Sequence, residues 1–157
     1  MRLANSTDLD ALWELETTCF EPHRQESRKA VARFLVHPGS ETWVMADSGQ
    51  VQAALCLRFH PKTVRIESLA VHPDCRGTGL GAALLEKALE RARETGREWL
   101  SLEAECRTTQ LITWYQRFGF RVRTELPDYY GPGHAAVRMK RPVSVTSRPA
   151  ALRKSKT

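Results

Sequence analysis

Three glycines at alternate positions, Gly77, Gly79 and Gly81, are the residues in this chain whose type and spacing most clearly suggest chemistry. They lie in the stretch CRGTGLGAALL, between a strand-like segment and a helical pattern. At such a junction the first helical N–H groups have no partner within the helix and the macrodipole is positive, so an anion such as phosphate can bind. Glycines also omit the Cβ atoms that would hold phosphate oxygens away from the backbone. The pattern predicts an anion-binding loop, against the alternative of a turn whose glycines serve packing alone.

Two phosphate-binding motifs do not fit this loop. An NTPase loop requires G-x-x-x-x-G-K-[ST], and Lys87 comes too late in the chain to supply its lysine. A dinucleotide loop requires G-x-G-x-x-G, whereas these glycines fall as G-x-G-x-G, and the acidic residue expected about 20 positions further on is not convincingly placed. The loop therefore belongs to neither class.

The elements around the loop alternate in a way that predicts a mixed sheet. Strand-like segments span 2–4, 41–47, 50–59, 63–72, 98–105, 120–126 and 135–142, and helical patterns span 6–20, 26–39, 80–96 and 108–119. We expect Ser6 or Thr7 to cap the first helix. In the segment 98–105, Glu103 and Glu105 share one face, opposite the apolar residues. The order β–α–α–β–β–β–α–β–α–β–β predicts an α/β (mixed α+β) fold with helices on both faces of the sheet.

The composition is that of one ordinary globular domain. The chain has 157 residues and a formal net charge of +6, and its four cysteines are far apart, which favours free thiols and a cytoplasmic location. We predict a single domain over 1–142 and a basic, flexible tail over 143–157. No apolar run is long enough to span a bilayer, so a membrane partner is not expected. Nucleic acid is not favoured either, because no basic stripe interleaved with aromatic residues occurs in the body of the chain.

The stretch LAVHPDCRGTGLGAALL contains R-x-x-G-x-G and closely resembles the acetyl-coenzyme A signature of the GNAT acetyltransferases. The resemblance covers roughly 2–142 and includes WYQRFGF at 114–120. It implies the GNAT acyl-CoA N-acyltransferase fold, a mostly antiparallel twisted sheet whose strand before the loop is bulged and splays from its neighbour. It also implies acetyl-coenzyme A as co-substrate. The residues implied to hold it are Leu69, Ala70, Val71, Arg76, Gly77, Thr78, Gly79, Leu80, Gly81, Ala82 and Thr108, the last replacing a family asparagine.

Catalytic roles follow from the same resemblance, which is closest to RimI-like N-terminal protein acetyltransferases. It implies Glu103 as the base that takes the proton of the acceptor amine. By position alone, Glu105 on the same face and Glu67 on the strand before the loop are alternatives. Tyr115 is implied as the acid that protonates the leaving thiolate, and the Val71 N–H as the oxyanion donor. Thr108 is expected to donate one hydrogen bond to pantetheine.

Two segments are expected to border the acceptor cleft, CFEPHRQESRK at 19–29 and PDYYGPGHAAVRM at 127–139. The second resembles a RimI-like loop, which Tyr129 and Tyr130 match, but His134 and Ala135 replace its two acidic residues. We predict acceptor contacts from Glu105, Tyr129, Tyr130 and His134. No metal is predicted, because the sequence contains neither H-E-x-x-H nor a Cys/His cluster.

The predicted function is transfer of acetyl from acetyl-coenzyme A to a primary amine by direct attack. A protein N-terminal α-amine comes first, then a lysine, then a small amine. Two other classes stay open at this point, a non-catalytic coenzyme A-binding regulatory module and a nucleic-acid-associated protein that uses its basic tail. The sequence leaves open whether the chain is a monomer or a homodimer.

Overall fold

A computed structural model describes residues 1–144 of the chain. The strands are β1 (Arg2–Leu3), β2 (Ser40–Asp47), β3 (Gln50–Phe59), β4 (Thr63–Val71), β5 (Trp99–Glu105), β6 (Arg121–Leu126) and β7 (Ala136–Pro142). The helices are α1 (Leu9–Cys19), α2 (Arg28–Val36), α3 (Leu80–Glu94) and α4 (Thr109–Arg117), with single 3₁₀ turns at Ser6–Asp8, Pro22–Arg24 and Pro73–Cys75. The predicted order of elements is thus confirmed.

All seven strands form one sheet in the order β1-β2-β3-β4-β5-β7-β6. Every neighbouring pair is antiparallel except β4 and β5, which run parallel. This pair forms over only three residues of each strand, Thr63–Arg65 against Trp99–Ser101, and then diverges. On its other side β4 carries a bulge, because Ser68 and Ile66 face consecutive residues of β3 and Glu67 is the extra residue between them. The mixed, mostly antiparallel fold and the bulged, splayed strand were both predicted.

Helices cover both faces of the sheet. On one face, α3 buries a stripe of Leu84, Leu85, Ala88, Leu89 and Ala92 against apolar residues of β3, β4 and β5. On the other, Leu12 and Leu15 of α1 contact Val44, Ala54 and Ala70. Because β3 is covered on both sides, its sequence is a nearly continuous apolar run rather than a strict alternation.

Two predicted boundaries need correction. Asn5, not Ser6 or Thr7, caps the first helical segment: its side chain accepts the Thr7 N–H, and the Asp8 carboxylate accepts the Asn5 N–H. The cap lies earlier because the chain begins with a 3₁₀ turn before α1. At the other end, Val143 is 4% exposed and its N–H donates to the Glu98 carbonyl, so the domain includes this residue. The rest of the predicted tail, 145–157, lies outside the described residues.

Within residues 1–144, no helix is both long and apolar enough to cross a membrane. All four cysteines are free thiols, as predicted.

Candidate active site

The gap between β4 and β5 exposes one edge of β4. The His72 N–H donates to the Gln52 carbonyl of β3 at 2.8 Å. Because peptide groups alternate in direction along an antiparallel strand, Val71 and Leu69 direct theirs away from β3 and towards the gap. The Val71 carbonyl accepts the Arg76 Nε–H at 3.1 Å and the Cys19 thiol at 3.4 Å. The Val71 carbonyl is thus engaged within the chain, and the Val71 N–H and the Leu69 peptide groups are the part of this edge that can pair with an extended ligand, as the resemblance implied for pantetheine.

The three glycines of the loop have two different roles. Gly77 and Gly79 have φ values of 78° and 87°, in the left-handed region that favours glycine, and no atom lies within 4 Å of a Cβ built on either. A Cβ on Gly81 would lie 3.2 Å from two indole carbons of Trp114. Gly77 and Gly79 thus shape an open loop before α3, whereas Gly81 permits close packing of α3 on α4. The expectation that all three clear space for phosphate needs this correction.

A cavity of about 580 Å³ extends from the β4 edge to the N-terminus of α3. It is lined by every residue predicted to hold the cofactor except Thr78, together with Cys19, Phe20, Arg24, Cys75, Gln110, Leu111 and Trp114. The Thr78 hydroxyl instead donates to the Cys75 carbonyl inside the loop. The Thr108 hydroxyl donates to the Glu105 carbonyl at 2.6 Å. Thr108 is therefore placed to accept a hydrogen bond from a ligand, not to donate one as predicted.

A second cavity, of about 390 Å³, adjoins the first and is called the acceptor cleft below. The two cavities share Phe20, Arg24, Leu69 and Leu111. Its ionisable residues are Glu16, Glu26, Glu67, Glu103, His23, Arg24, Arg65, Tyr115, Tyr129 and Tyr130. Four carboxylates against two arginines favour a cationic ligand such as an ammonium group.

The carboxylates of Glu103 and Glu67 have different partners. Glu103 is 5% exposed, and its two oxygens lie 3.1 Å from Arg65 Nη2 and 3.0 Å from Arg138 Nε. Glu67, on the β4 bulge, lies 3.6 Å from Arg65 Nε and 3.9 Å from Arg58 Nε, beyond hydrogen-bonding distance. Burial raises the pKa of Glu67 above the usual value of a glutamate, against the opposing effect of these two arginines. Glu103 is therefore held as a paired carboxylate, while Glu67 is less constrained.

The tyrosines form one wall of the acceptor cleft. Tyr115 is 6% exposed, and burial raises its pKa well above that of free tyrosine, so the phenol stays protonated. The Tyr130 hydroxyl donates to the Glu103 carbonyl at 3.3 Å, and Arg65 donates to the Tyr129 hydroxyl at 2.6 Å. The loop before β7 is thus tied to β5 and β4.

Glu105 and His134 are not among the residues that line the acceptor cleft. The Glu105 carboxylate is 7% exposed and faces two imidazoles, His134 Nδ1 at 2.9 Å and His23 Nε2 at 3.3 Å. Burial alone would raise the pKa of Glu105, but hydrogen bonds with His134 and His23 keep it below its usual value. The predicted acceptor contacts from Glu105 and His134 are therefore replaced by contacts of these residues with each other and with His23.

Sequence reasoning missed Arg24, which lines both cavities. Its guanidinium lies 5.2 Å from the Phe20 ring centroid and 4.9 Å from that of Tyr130, and its buried Nε has no hydrogen-bond partner. The segment 19–29 was expected at the cleft, but no spacing rule singles out this arginine within a 3₁₀ turn. Glu16 and Arg65 were missed for the same reason, since the helical and strand patterns around them are ordinary.

Comparison with known proteins agrees with this geometry. Residues 9–120 match the acetyltransferase (GNAT) family. An uncharacterized N-acetyltransferase of Methanocaldococcus jannaschii is 32% identical over 141 residues, which cover 88% of each chain. The blasticidin-S acetyltransferase of Streptomyces morookaense is 30% identical over 95 residues, 56% of this chain and 64% of that protein. The crystal structure of the ribosomal-protein-S18-alanine N-acetyltransferase from Escherichia coli superposes with a TM-score of 0.83 at 24% identity, covering 94% of this chain and 96% of that one. A family match over most of the chain, on a fold with this splayed edge and loop, shows that the protein is an acyltransferase of the GNAT acetyltransferase family.

Proposed function

We propose that this enzyme transfers the acetyl group of acetyl-coenzyme A to the α-amine of a protein N-terminus or, second, to a protein lysine. The observation that carries the proposal is the junction of the two cavities. An extended ligand that follows the β4 edge ends at Leu69, Phe20 and Leu111, where the carboxylate-lined acceptor cleft begins. A thioester and an amine can meet there with their reacting atoms close together.

The chain's own groups fit acetyl-coenzyme A as the donor. The loop at Gly77 and Gly79 is open, and the N–H groups at the start of α3 suit the pyrophosphate. The peptide groups of Leu69 pair with pantetheine as a neighbouring strand would. The Val71 N–H then donates to the carbonyl oxygen of the thioester as negative charge develops on it.

For the base we favour Glu67 over Glu103, the residue first expected. Glu103 forms ion pairs with Arg65 and Arg138, whereas the less constrained carboxylate of Glu67 has a raised pKa, which makes it a stronger proton acceptor than an ordinary glutamate. The ammonium gives one proton to Glu67, directly or through a water, and the amine nitrogen attacks the carbonyl carbon. The C–S bond breaks as Tyr115 protonates the departing thiolate, and the resulting tyrosinate takes the second proton from the nitrogen of the new amide. Glu67 then releases its proton to solvent, so that both side chains return to their starting state.

The charge of the acceptor cleft supports an amine-bearing acceptor. Glu16, Glu26 and Glu67 line the cleft and place carboxylates there, in the absence of the two acidic residues that His134 and Ala135 replace in the loop. The similar Escherichia coli enzyme is named for an alanine of ribosomal protein S18, which supports a protein N-terminus.

A small amine is the second candidate acceptor. A cleft of about 390 Å³ falls in the usual range for small-molecule sites. Arg24, a cation without a hydrogen bond at its buried Nε, suits an acceptor that carries a carboxylate beside its amine. The similarity to blasticidin-S acetyltransferase supports this alternative.

An acceptor screen with acetyl-coenzyme A, monitored by thiol release, tests the proposal. Peptides beginning with Ala, Ser or Met are compared with internal lysine peptides, free lysine and polyamines. We expect the highest kcat/KM with an N-terminal peptide. A preference for a free amino acid or polyamine would favour the second candidate, and release with none of them despite acetyl-coenzyme A binding would refute acetyl transfer to these amines.

A further inference from the structure

Two histidines and a glutamate from distant segments meet at the edge of the acceptor cleft, which His23 also lines. His23 lies in the 3₁₀ turn Pro22–Arg24, Glu105 ends β5, and His134 lies in the loop before β7. One ligand atom from each of the three lies within 4.8 Å of the other two. The glutamate side chain is 7% exposed and the histidine side chains are 21% and 26% exposed, so the group is sheltered but reachable from solvent. We call these residues the His–Glu–His cluster.

Both imidazoles direct a ring nitrogen at the Glu105 carboxylate, and the second nitrogen of His23 faces another carboxylate. His23 Nε2 lies 3.3 Å from Glu105, and its Nδ1 lies 3.5 Å from a carboxylate oxygen of Glu21. A neutral imidazole has one N–H, so when His23 Nε2 donates to Glu105, its Nδ1 presents a lone pair toward Glu21, whose side chain is 78% exposed. The rings of His23 and His134 stack with centroids 3.9 Å apart and an interplanar angle of 22°, and the two rings approach the same carboxylate.

We propose that the His–Glu–His cluster is a binding site for a divalent cation of the Zn²⁺ class. Two imidazole nitrogens and one carboxylate form a ligand set that Zn²⁺ accepts, with water at the remaining position. Mg²⁺ and Ca²⁺ prefer oxygen ligands, so this set disfavours them. Glu21 then takes the His23 Nδ1–H, the outer carboxylate contact that metal-bound histidines commonly make.

An ion at this position would connect the two segments that border the acceptor cleft. Arg24 lines the cleft beside one ligand, and Tyr130 lines it from the loop that carries the other. The ion joins the turn 22–24 to the loop 127–135 across the end of β5. We expect the ion to change KM for the acceptor more than KM for acetyl-coenzyme A.

Metal binding can be measured without any assay of acetyl transfer, so its outcome is independent of the proposed function. The full-length chain, stripped with a chelator and kept reduced with a phosphine, is titrated with Zn²⁺ by calorimetry and with Co²⁺ by visible absorption. We expect one equivalent of Zn²⁺ to bind, a Co²⁺ spectrum with nitrogen ligation, and a thermal midpoint that rises with Zn²⁺ concentration.

The variants H23A and H134A test the assignment of the ligands. Each should weaken Zn²⁺ binding at least about tenfold, since even loss of an outer contact costs about 10–100-fold. The matched control is H60A, because His60 is an exposed histidine outside the cluster. Both ligand histidines lie in short turn or loop segments, so circular dichroism should show that H23A and H134A are folded. E105Q is less suitable as a test because it removes a buried charge and would itself alter stability.

Two results would overturn the proposal. One is the absence of saturable Zn²⁺ binding by the unaltered chain. The other is binding of equal affinity in H23A and H134A, which would assign the ion to the cysteine thiols or to another surface site.

Discussion

Glu67 is the extra residue of the β4 bulge, and its replacement by glutamine removes a proton acceptor while preserving the size of the side chain. If Glu67 is the base, Glu67→Gln should lower kcat about 10²–10⁴-fold, the usual contribution of general-base catalysis. At about 1.36 kcal/mol per tenfold, this is roughly 2.7–5.4 kcal/mol of barrier. Binding of acetyl-coenzyme A should be unchanged, because Glu67 is not among the residues that line the cavity of about 580 Å³ along the β4 edge, where we propose that acetyl-coenzyme A binds.

The pH dependence of kcat/KM gives a second, independent sign of the same role. Burial raises the pKa of Glu67, so a protonated, inactive form persists above the pH at which an ordinary glutamate ionises. Activity should therefore rise with pH through this raised pKa, and Glu67→Gln should lack that acid limb. The titration of the acceptor amine adds a separate limb at higher pH, which the two proteins share. Thiol release with one fixed acceptor measures the pH profiles of the unaltered enzyme and of Glu67→Gln.

Glu103→Gln is the matched control, since it makes the same change on the neighbouring strand. Loss of one partner from a fully buried ion pair costs about 3–5 kcal/mol. Because Arg65 and Arg138 are 28% and 37% exposed, solvent screening lowers this cost, and we expect about 1–2 kcal/mol of lost stability. The acid limb should remain. A Glu67→Gln enzyme with nearly unaltered kcat, or an acid limb that disappears in Glu103→Gln instead, would refute the reasoning.

Three further predictions concern the acid, the loop and the first turn. Tyr115→Phe should lower kcat about 10²–10⁴-fold and leave the affinity for acetyl-coenzyme A intact. Steady-state turnover and equilibrium binding measure the two effects. Unchanged turnover would exclude Tyr115 as the acid. Gly79→Ala should lower the free energy of unfolding in urea by roughly 1–2 kcal/mol because its φ is 87°, and the control Gly49→Ala, at φ 80° in the β2–β3 turn, should lower it by the same amount. Only Gly79→Ala should weaken acetyl-coenzyme A binding. Equal affinities of the two variants would show that the loop does not bind acetyl-coenzyme A. A hydrogen bond from Arg2 lowers the pKa of Asp8, so Asp8 adds stability above pH 3.8 that is lost as the pH falls through its lowered pKa. Asp8→Asn should thus lose about 0.5–2 kcal/mol near neutral pH and less in acid, by urea unfolding; a loss that does not change with pH would contradict this.

The local architecture could be predicted because its causes lie within a few residues of each other along the chain. The predicted and observed bounds of β3 coincide, and those of β5 differ by one residue. Helix ends at Gly96 and Gly119 follow from their left-handed backbone, with φ values of 70° and 89°. The junction at Gly77 and Gly79, which we predict to bind an anion, likewise depends on a contiguous strand, loop and helix.

The roles of particular side chains could not be predicted in the same way. Alternation puts Glu103 and Glu105 on one face of β5. It does not show that Glu103 forms ion pairs with arginines from β4 and β7, or that Glu105 contacts two histidines. The predicted roles of Gly81 and Thr108 were wrong for the same reason. Gly81 packs against Trp114, and the Thr108 hydroxyl donates to the Glu105 carbonyl, and neither neighbour can be read from the local sequence.

The amino-acid sequence by itself determined the element order, the mixed sheet and the glycine loop between β4 and α3, because periodicity and backbone conformation are local properties. Only the tertiary structure decided how far β4 and β5 pair, that Glu67 is the bulged residue, and that His23 contacts Glu105, 82 positions away. The charge and proton affinity of a carboxylate depend on the groups that folding brings within a few ångströms of it. For Glu67, Glu103 and Glu105, those groups come mainly from other segments of the chain.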